Sequence, residues 1–217
     1  MLRDILYTNS IVSPVWYWFL QVRQICAWKD RSYAMPAPHF IKQSTLLRHA
    51  CRDAVWVETG TYLGETTRFL AKRFPFVYTI EPSSECFRLA RKRFRGIRNV
   101  ELIAGTSEDI LQPLLAKVGF QSVCFWLDGQ FSAGITFKGN SKSPVLHELE
   151  VIGASFQKFD NVVVFIDDVR CAQNDPENYP SLDVYVDWAR QNSLIWTVEN
   201  DIFIAKTSNS EVSAWPD

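Results

Sequence analysis

Bulk charge points this chain toward no particular partner. Its 23 lysines and arginines nearly balance 24 aspartates and glutamates, leaving a formal net charge of −1. Binding to nucleic acid therefore has no electrostatic support. Cysteines are scattered: Cys26, Cys51, Cys86, Cys124 and Cys171 form no CxxC pair and no Cys/His ligand spacing. That argues against structural zinc and for reduced thiols. Long apolar runs are missing too. Val15 to Leu20, the longest near the N-terminus, is far short of the ~20 residues of a transmembrane helix. Signal-peptide layout, internal repeats and low-complexity tracts are also lacking. The expectation is a soluble, cytoplasmic protein with no transmembrane segment.

What is present suits a packed domain with a small appendage: 217 residues, 47% of them apolar, enough for a full core. Residues 1–40 read as a helical arm, dense in aromatics at Val15-Trp-Tyr-Trp-Phe-Leu20 and broken by Met35-Pro-Ala-Pro38. The plain reading packs this arm on the domain's own core. A dimer arm, giving a homodimer, or a lid over a substrate pocket are the alternatives. Residues 41–208 form the domain and 209–217 a tail. Arg88, Arg91, Lys92, Arg93, Arg95 and Arg98 read as the solvated face of a helix, or else as a patch for an anionic substrate.

From Phe40 onward helical segments alternate with short apolar runs. Helices are expected over Ile41–Ala50, Glu65–Phe74, Ser84–Phe94, Ser107–Val118, His147–Phe156 and Tyr179–Gln191. Strands are expected over Val55–Val57, Val77–Ile80, Val100–Ile103, Val123–Leu127, Val162–Ile166, Leu194–Val198 and Asp201–Ala205. Short, nearly continuous apolar strands separated by helices mean a parallel sheet covered on both faces. The last two runs lie too close for a helical crossover and must form an antiparallel hairpin. The fold class is therefore α/β: a doubly wound, Rossmann-like, seven-stranded, mostly parallel sheet ending in an antiparallel hairpin.

The most informative stretch is Val55-Trp-Val-Glu-Thr-Gly-Thr-Tyr-Leu-Gly64. An apolar run ends in an acid, two glycines follow, and a helix begins. A second run, Val77-Tyr-Thr-Ile80, ends in Glu81. Glycine lets the backbone approach a ligand, the helix start offers free N–H groups, and a strand-end carboxylate can take ribose hydroxyls. The pattern is E-x-G-x-x-x-G, not the G-x-G-x-x-G of dinucleotide folds. It resembles motif I of class I S-adenosylmethionine (SAM) methyltransferases. By that likeness Glu58, Thr59, Gly60 and Gly64 lie near the methionine part of the cofactor, and Glu81 holds the ribose. Ser107 and Glu108 sit beside adenine, and Asp128 borders the cofactor. Glu108 also reads simply as a helix-start residue.

Asp128, Asp167 and Asp168 end neighbouring strands. Three carboxylates there suit a hard cation such as Mg²⁺. Alternatively, Asp167 caps the following turn and Asp168 alone matters. The set resembles the cation-dependent O-methyltransferases of the macrocin/novobiocin sugar type and the catechol type. In those enzymes the metal binds two vicinal substrate hydroxyls. The sugar enzymes carry an acidic base two residues after the first metal aspartate, whereas this chain has Gln130. Glutamine accepts no proton, so His147 becomes the alternative base. The run Phe125-Trp-Leu-Asp-Gly-Gln-Phe-Ser132, with Phe165-Ile-Asp-Asp168 and Tyr179-Pro-Ser-Leu182, is similar to a group of class I methyltransferase-fold proteins over roughly Pro38 to Thr207. The segment 129–143 is expected to roof the acceptor pocket. The resemblance implies a SAM-dependent, metal-assisted O-methyltransferase acting on a small hydroxylated, sugar-like molecule. The alternative is a catalytically silent relative that binds SAM or another nucleoside-like ligand.

Overall fold

The computed structural model describes residues 14–117, 119, 122–128, 144–176 and 179–208. Helices α1 (Pro14–Asp30) and α2 (His39–His49) precede strand β1 (Val55–Thr59). Then come α3 (Glu65–Ala71), β2 (Phe76–Glu81), α4 (Ser84–Arg93), β3 (Val100–Ala104), α5 (Ser107–Lys117) and β4 (Ser122–Leu127). The remainder is α6 (Pro144–Ser155), β5 (Asn161–Ile166), α7 (Cys171–Asn174), α8 (Leu182–Gln191), β6 (Ile195–Glu199) and β7 (Ile202–Lys206).

The strands form one sheet in the order β3-β2-β1-β4-β5-β7-β6. All neighbours run parallel except the β5–β7 and β6–β7 pairs, which are antiparallel. This is the fold class expected from the sequence. Successive side chains of the central strands point to opposite faces. Val57, Phe125, Val164 and Phe203 share one buried face with Leu111, Leu149 and Tyr185 from α5, α6 and α8. Trp56, Cys124, Val163 and Phe165 share the other with Leu46 of α2 and Leu70 of α3. Because both faces are covered, β1, β4 and β5 read as continuous apolar runs.

Helix ends differ from expectation for local reasons. Helix α3 stops at Ala71, three residues before Phe74; Phe74 precedes Pro75, which disfavours helical backbone there. Pro180 likewise delays α8 to Leu182. Helix α6 begins earlier, at Pro144, since proline suits a first helical position. The final hairpin turns on Asn200 (φ 52) and Asp201 (φ 70), one residue later than the spacing implies. Both residue types tolerate the left-handed region that a tight primed turn requires.

The arm departs from its plain reading. Along residues 18–30 no side chain of α1 is buried, and Trp18 is 63% exposed and Phe19 46%. The apolar residues of α1 do not gather into a stripe that the domain could cover. Residues 1–13, the tail and the segment 129–143 lie outside the described residues.

Gly64 and Gly96 both sit at positive φ, +73 and +82. A Cβ at Gly64 would lie 2.4 Å from Phe94 Cζ, whereas one at Gly96 meets nothing within 4 Å. Gly96→Ala is expected to cost about 1–2 kcal/mol, the left-handed penalty alone. Gly64→Ala should cost roughly 1–3 kcal/mol more through overpacking. Urea unfolding of the two variants measures the difference; equal costs would show that Phe94 moves aside freely.

Candidate functional site

The parallel register builds a rim at the carboxyl ends of the strands. Backbone bonds continue just past them: Gly60 N donates to Ile80 O (3.0 Å), Gly105 N to Glu81 O (3.1 Å), Asp128 N to Thr59 O (3.1 Å) and Asp167 N to Leu127 O (3.2 Å). Glu58, Thr59, Gly60, Glu81, Asp128 and Asp167 are thereby brought to one edge.

On one half of the rim the chain turns through Gly60 (φ 85) and Gly64 (φ 73) into α3. Thr61 Oγ1 and Thr79 Oγ1 share a hydrogen bond of 2.6 Å. Arg93 also supports the turn by donating to Leu63 O (2.5 Å), unlike its exposed neighbours Arg91 and Lys92. Glu81 is only 4% exposed. Its Oε2 accepts from Tyr62 N (2.7 Å) and its Oε1 from Ser83 N (2.8 Å). Burial raises its carboxyl above the ordinary range while those two bonds oppose the rise. Glu58, 1% exposed, points beneath the turn. Its Oε2 accepts from Thr67 Oγ1 (2.5 Å) and Thr79 Oγ1 (2.6 Å). Burial pushes it up to about 7 against the pull of the two threonines, with Glu81 adding to the rise.

Thr59 faces the opposite side of the sheet, toward Ser107 and Glu148. Ser107 Oγ donates to Glu108 Oε2 (3.3 Å). Thr106 caps α5 by accepting from Asp109 N (3.3 Å), and Glu108 stands in the first turn of that helix. Glu148, 1% exposed on α6, is a residue the sequence reading passed over in favour of His147 beside it. Burial pushes Glu148 up to about 7, although Ser107 and Thr59 lie near enough to favour its charged form. Neither Glu148 Oε1 nor Thr59 Oγ1 meets hydrogen-bond geometry with a partner among the described residues. Buried oxygens without partners are costly.

The other half holds the aspartates. Lys42 of α2, 9% exposed, donates from Nζ to Asp167 Oδ1 (2.5 Å), Asp167 Oδ2 (2.7 Å) and Asp168 Oδ1 (2.9 Å). Asp168 sits at φ 58 and also accepts from Arg170 Nη1 (2.8 Å). Arg170 is ion-paired with Asp201 as well. Burial raises Asp128 well above the carboxylate range, Asp167 raises it further, and Lys42 opposes. Burial lifts Asp167 to about 6 against Lys42. Burial also works against ionised Asp168, but Lys42 and Arg170 outweigh it and hold that carboxyl low.

This arrangement corrects the reading of Asp128, Asp167 and Asp168 as ligands of Mg²⁺. The cation on Asp167 and Asp168 is the chain's own ammonium. Among the described residues no group of three His, Cys, Asp or Glu side chains is arranged to hold a metal ion. The alternative of a purely capping Asp167 holds in part: Asp167 Oδ1 does accept from Asp168 N (2.8 Å), but the same carboxylate is the main partner of Lys42. Gln130 lies outside the described residues. His147 is half-buried on α6, a helix that packs with α5, whereas the acid cluster is tied to α2 and the turn after β5. Lys42, Arg170, Asp201 and Glu148 carry no signal in sequence spacing, since Lys42 and Asp167 lie 125 residues apart.

No family model matches the sequence, and no curated protein matches it. Solved structures do. One is a Streptococcus mutans protein assigned as a methyltransferase, solved with S-adenosylhomocysteine. It is 14% identical, with 80% of this chain and 98% of that one covered, at a TM-score of 0.50. Another is an O-methyltransferase from Bacillus cereus, also with S-adenosylhomocysteine, at 18% identity, 93% and 94% coverage and a TM-score of 0.49. An rRNA methylase from Streptococcus thermophilus is similar at 16% identity, 80% and 97% coverage and a TM-score of 0.46. At 14% identity the likeness to the Streptococcus mutans protein concerns the fold alone, a Rossmann-like methyltransferase fold.

Glu148 generates a pH prediction. Its carboxyl lies at about 7 in the folded chain against an ordinary 4.5, so the folded state prefers the protonated form. The stability linked to it is full below pH ~4.5 and is lost as pH rises through ~7, about 3 kcal/mol in all. Glu148→Gln should therefore lose roughly 2–3 kcal/mol less than wild type between pH 5 and pH 8. Urea unfolding at the two pH values is the measurement, and parallel losses would show that no charge is buried there.

Proposed function

We propose that this chain is a SAM-dependent methyltransferase that methylates a hydroxyl of a small, sugar-like acceptor. The observation that carries the reading is the preorganised Glu81 carboxylate beside the Gly60–Gly64 turn. Each Glu81 oxygen is held by one backbone N–H and keeps a lone pair for one hydroxyl of a ribose. The unpartnered Thr59 Oγ1 and Glu148 Oε1 fit the same ligand, because the exocyclic amine of adenine is a donor. Gly60, Gly64 and Glu58 border the methionine end, with Ser107 and Glu108 beside the base.

When bound, SAM supplies an electrophilic methyl group on a sulfonium. The residues here bind and orient it, and the carboxyl-rich rim suits its positive charge. The acceptor hydroxyl must lie within ~3–3.5 Å of the methyl carbon; this reading puts it beside Asp128, between the two halves of the rim. Asp128, whose carboxyl burial and Asp167 push upward, orients the acceptor in this reading. The hydroxyl proton leaves to solvent water in this reading, as Gln130 accepts none and His147 lies on α6, the helix packed with α5 rather than with the acid cluster. Metal assistance is not carried forward, because Lys42 occupies Asp167 and Asp168.

Calorimetry with SAM tests the cofactor half. Glu81→Ala removes a charge-assisted contact worth about 1.5–3 kcal/mol, so affinity should fall roughly 10- to 150-fold. A circular-dichroism melt checks that the variant is folded. Unchanged SAM affinity in folded Glu81→Ala would sink the assignment.

A further inference from the structure

We infer that the Lys42 ammonium is a fixed counter-ion standing where a divalent cation would sit on Asp167 and Asp168, so that this site excludes metal. Three observations converge on it. First, the ammonium lies 2.5, 2.7 and 2.9 Å from three carboxylate oxygens. A hard divalent cation needs such oxygens at ~2.0–2.6 Å, so the two would claim the same space, and like charge forbids sharing it.

Second, Lys42 is not placed to swing away. It is buried on α2, and the rest of that helix is pinned to the β6–β7 hairpin. Asn200 Nδ2 donates to Thr45 Oγ1 (2.9 Å), His49 Nε2 meets Glu199 Oε2 (2.8 Å), and Arg48 pairs with Glu199. Third, the oxygens that hold Lys42 also serve other donors. Asp168 Oδ1 takes Arg170 Nη1 (2.8 Å) in addition to Lys42, and Asp167 Oδ1 takes the Asp168 N–H (2.8 Å). A cation entering here would have to displace two side chains.

The consequence goes beyond the proposed methyl transfer. Without a metal, an acceptor cannot be gripped by chelation of two vicinal hydroxyls, and hydrogen bonding at Asp128 must hold it instead. Lys42 is on this account a positioning residue, acting through Asp167 and Asp168.

Manganese binding to the full chain, followed by electron paramagnetic resonance at pH 8 without cofactor or acceptor, tests the inference. It is read without turnover, so failure of the methyltransferase reading would leave it intact, and the reverse holds too. Wild type should show no manganese site that Asp168→Asn abolishes. Lys42→Ala frees the carboxylates and should bind manganese at least ~10-fold more tightly than wild type. That gain should vanish in Lys42→Ala/Asp168→Asn. A wild-type site lost in Asp168→Asn, or folded Lys42→Ala with no gain, overturns the inference. Lys42→Met, close to lysine in length, repeats the comparison should the alanine variant not fold.

Discussion

Carboxylates brought together at the ends of parallel strands repel one another and lose their hydration at the same time, and much of this structure answers those two costs. At an effective dielectric near 20, two like charges 4 Å apart repel by about 4 kcal/mol. Lys42 and Arg170 meet the problem at Asp167, Asp168 and Asp201, while burial and Asp167 push the Asp128 carboxyl upward. Glu58 is met by two threonine hydroxyls and Glu81 by two backbone N–H groups. The choice of compensation divides the rim. Neutral donors serve the half around Glu58 and Glu81, and fixed cations serve the half around Asp167 and Asp168.

That division ties fold to chemistry. Helix α2 precedes the first strand and shares the buried face of Trp56 and Phe165. Its packing delivers Lys42 to the end of β5. On the opposite face α6 delivers Glu148 to the end of β1, beside Thr59 and Ser107. Each half of the candidate site is thus completed by a helix remote in sequence from the strand it serves. An error in packing either helix would leave buried acids uncompensated, which costs more than a lost surface contact.

Much of the architecture was legible along the chain. Apolar runs of strand length between helical segments give the sheet, its parallel majority and the closing hairpin, because these depend on local periodicity and connection length. Glu58, Gly60, Gly64 and Glu81 were legible as well, since they follow directly from the ends of recognisable strands. The hairpin turn was misplaced by one residue because Asn200 and Asp201 both tolerate positive φ, and spacing alone does not choose between adjacent polar pairs. Along residues 18–30 the arm buries no side chain, since burial depends on which face the domain covers and not on aromatic density.

The sequence by itself determined the order and type of the elements and the set of acids that must reach one edge. Strand pairing in register does the rest of that work, since each acid ends its own strand. What only the tertiary structure decided is how those acids are compensated. Lys42 reaches Asp167 across 125 residues, and Arg170 reaches Asp201 across 31. The identity of a buried partner depends on which helix face lands on which strand end. Local periodicity carries no record of that meeting, and so two of the three acids that read as a metal site hold an ammonium instead.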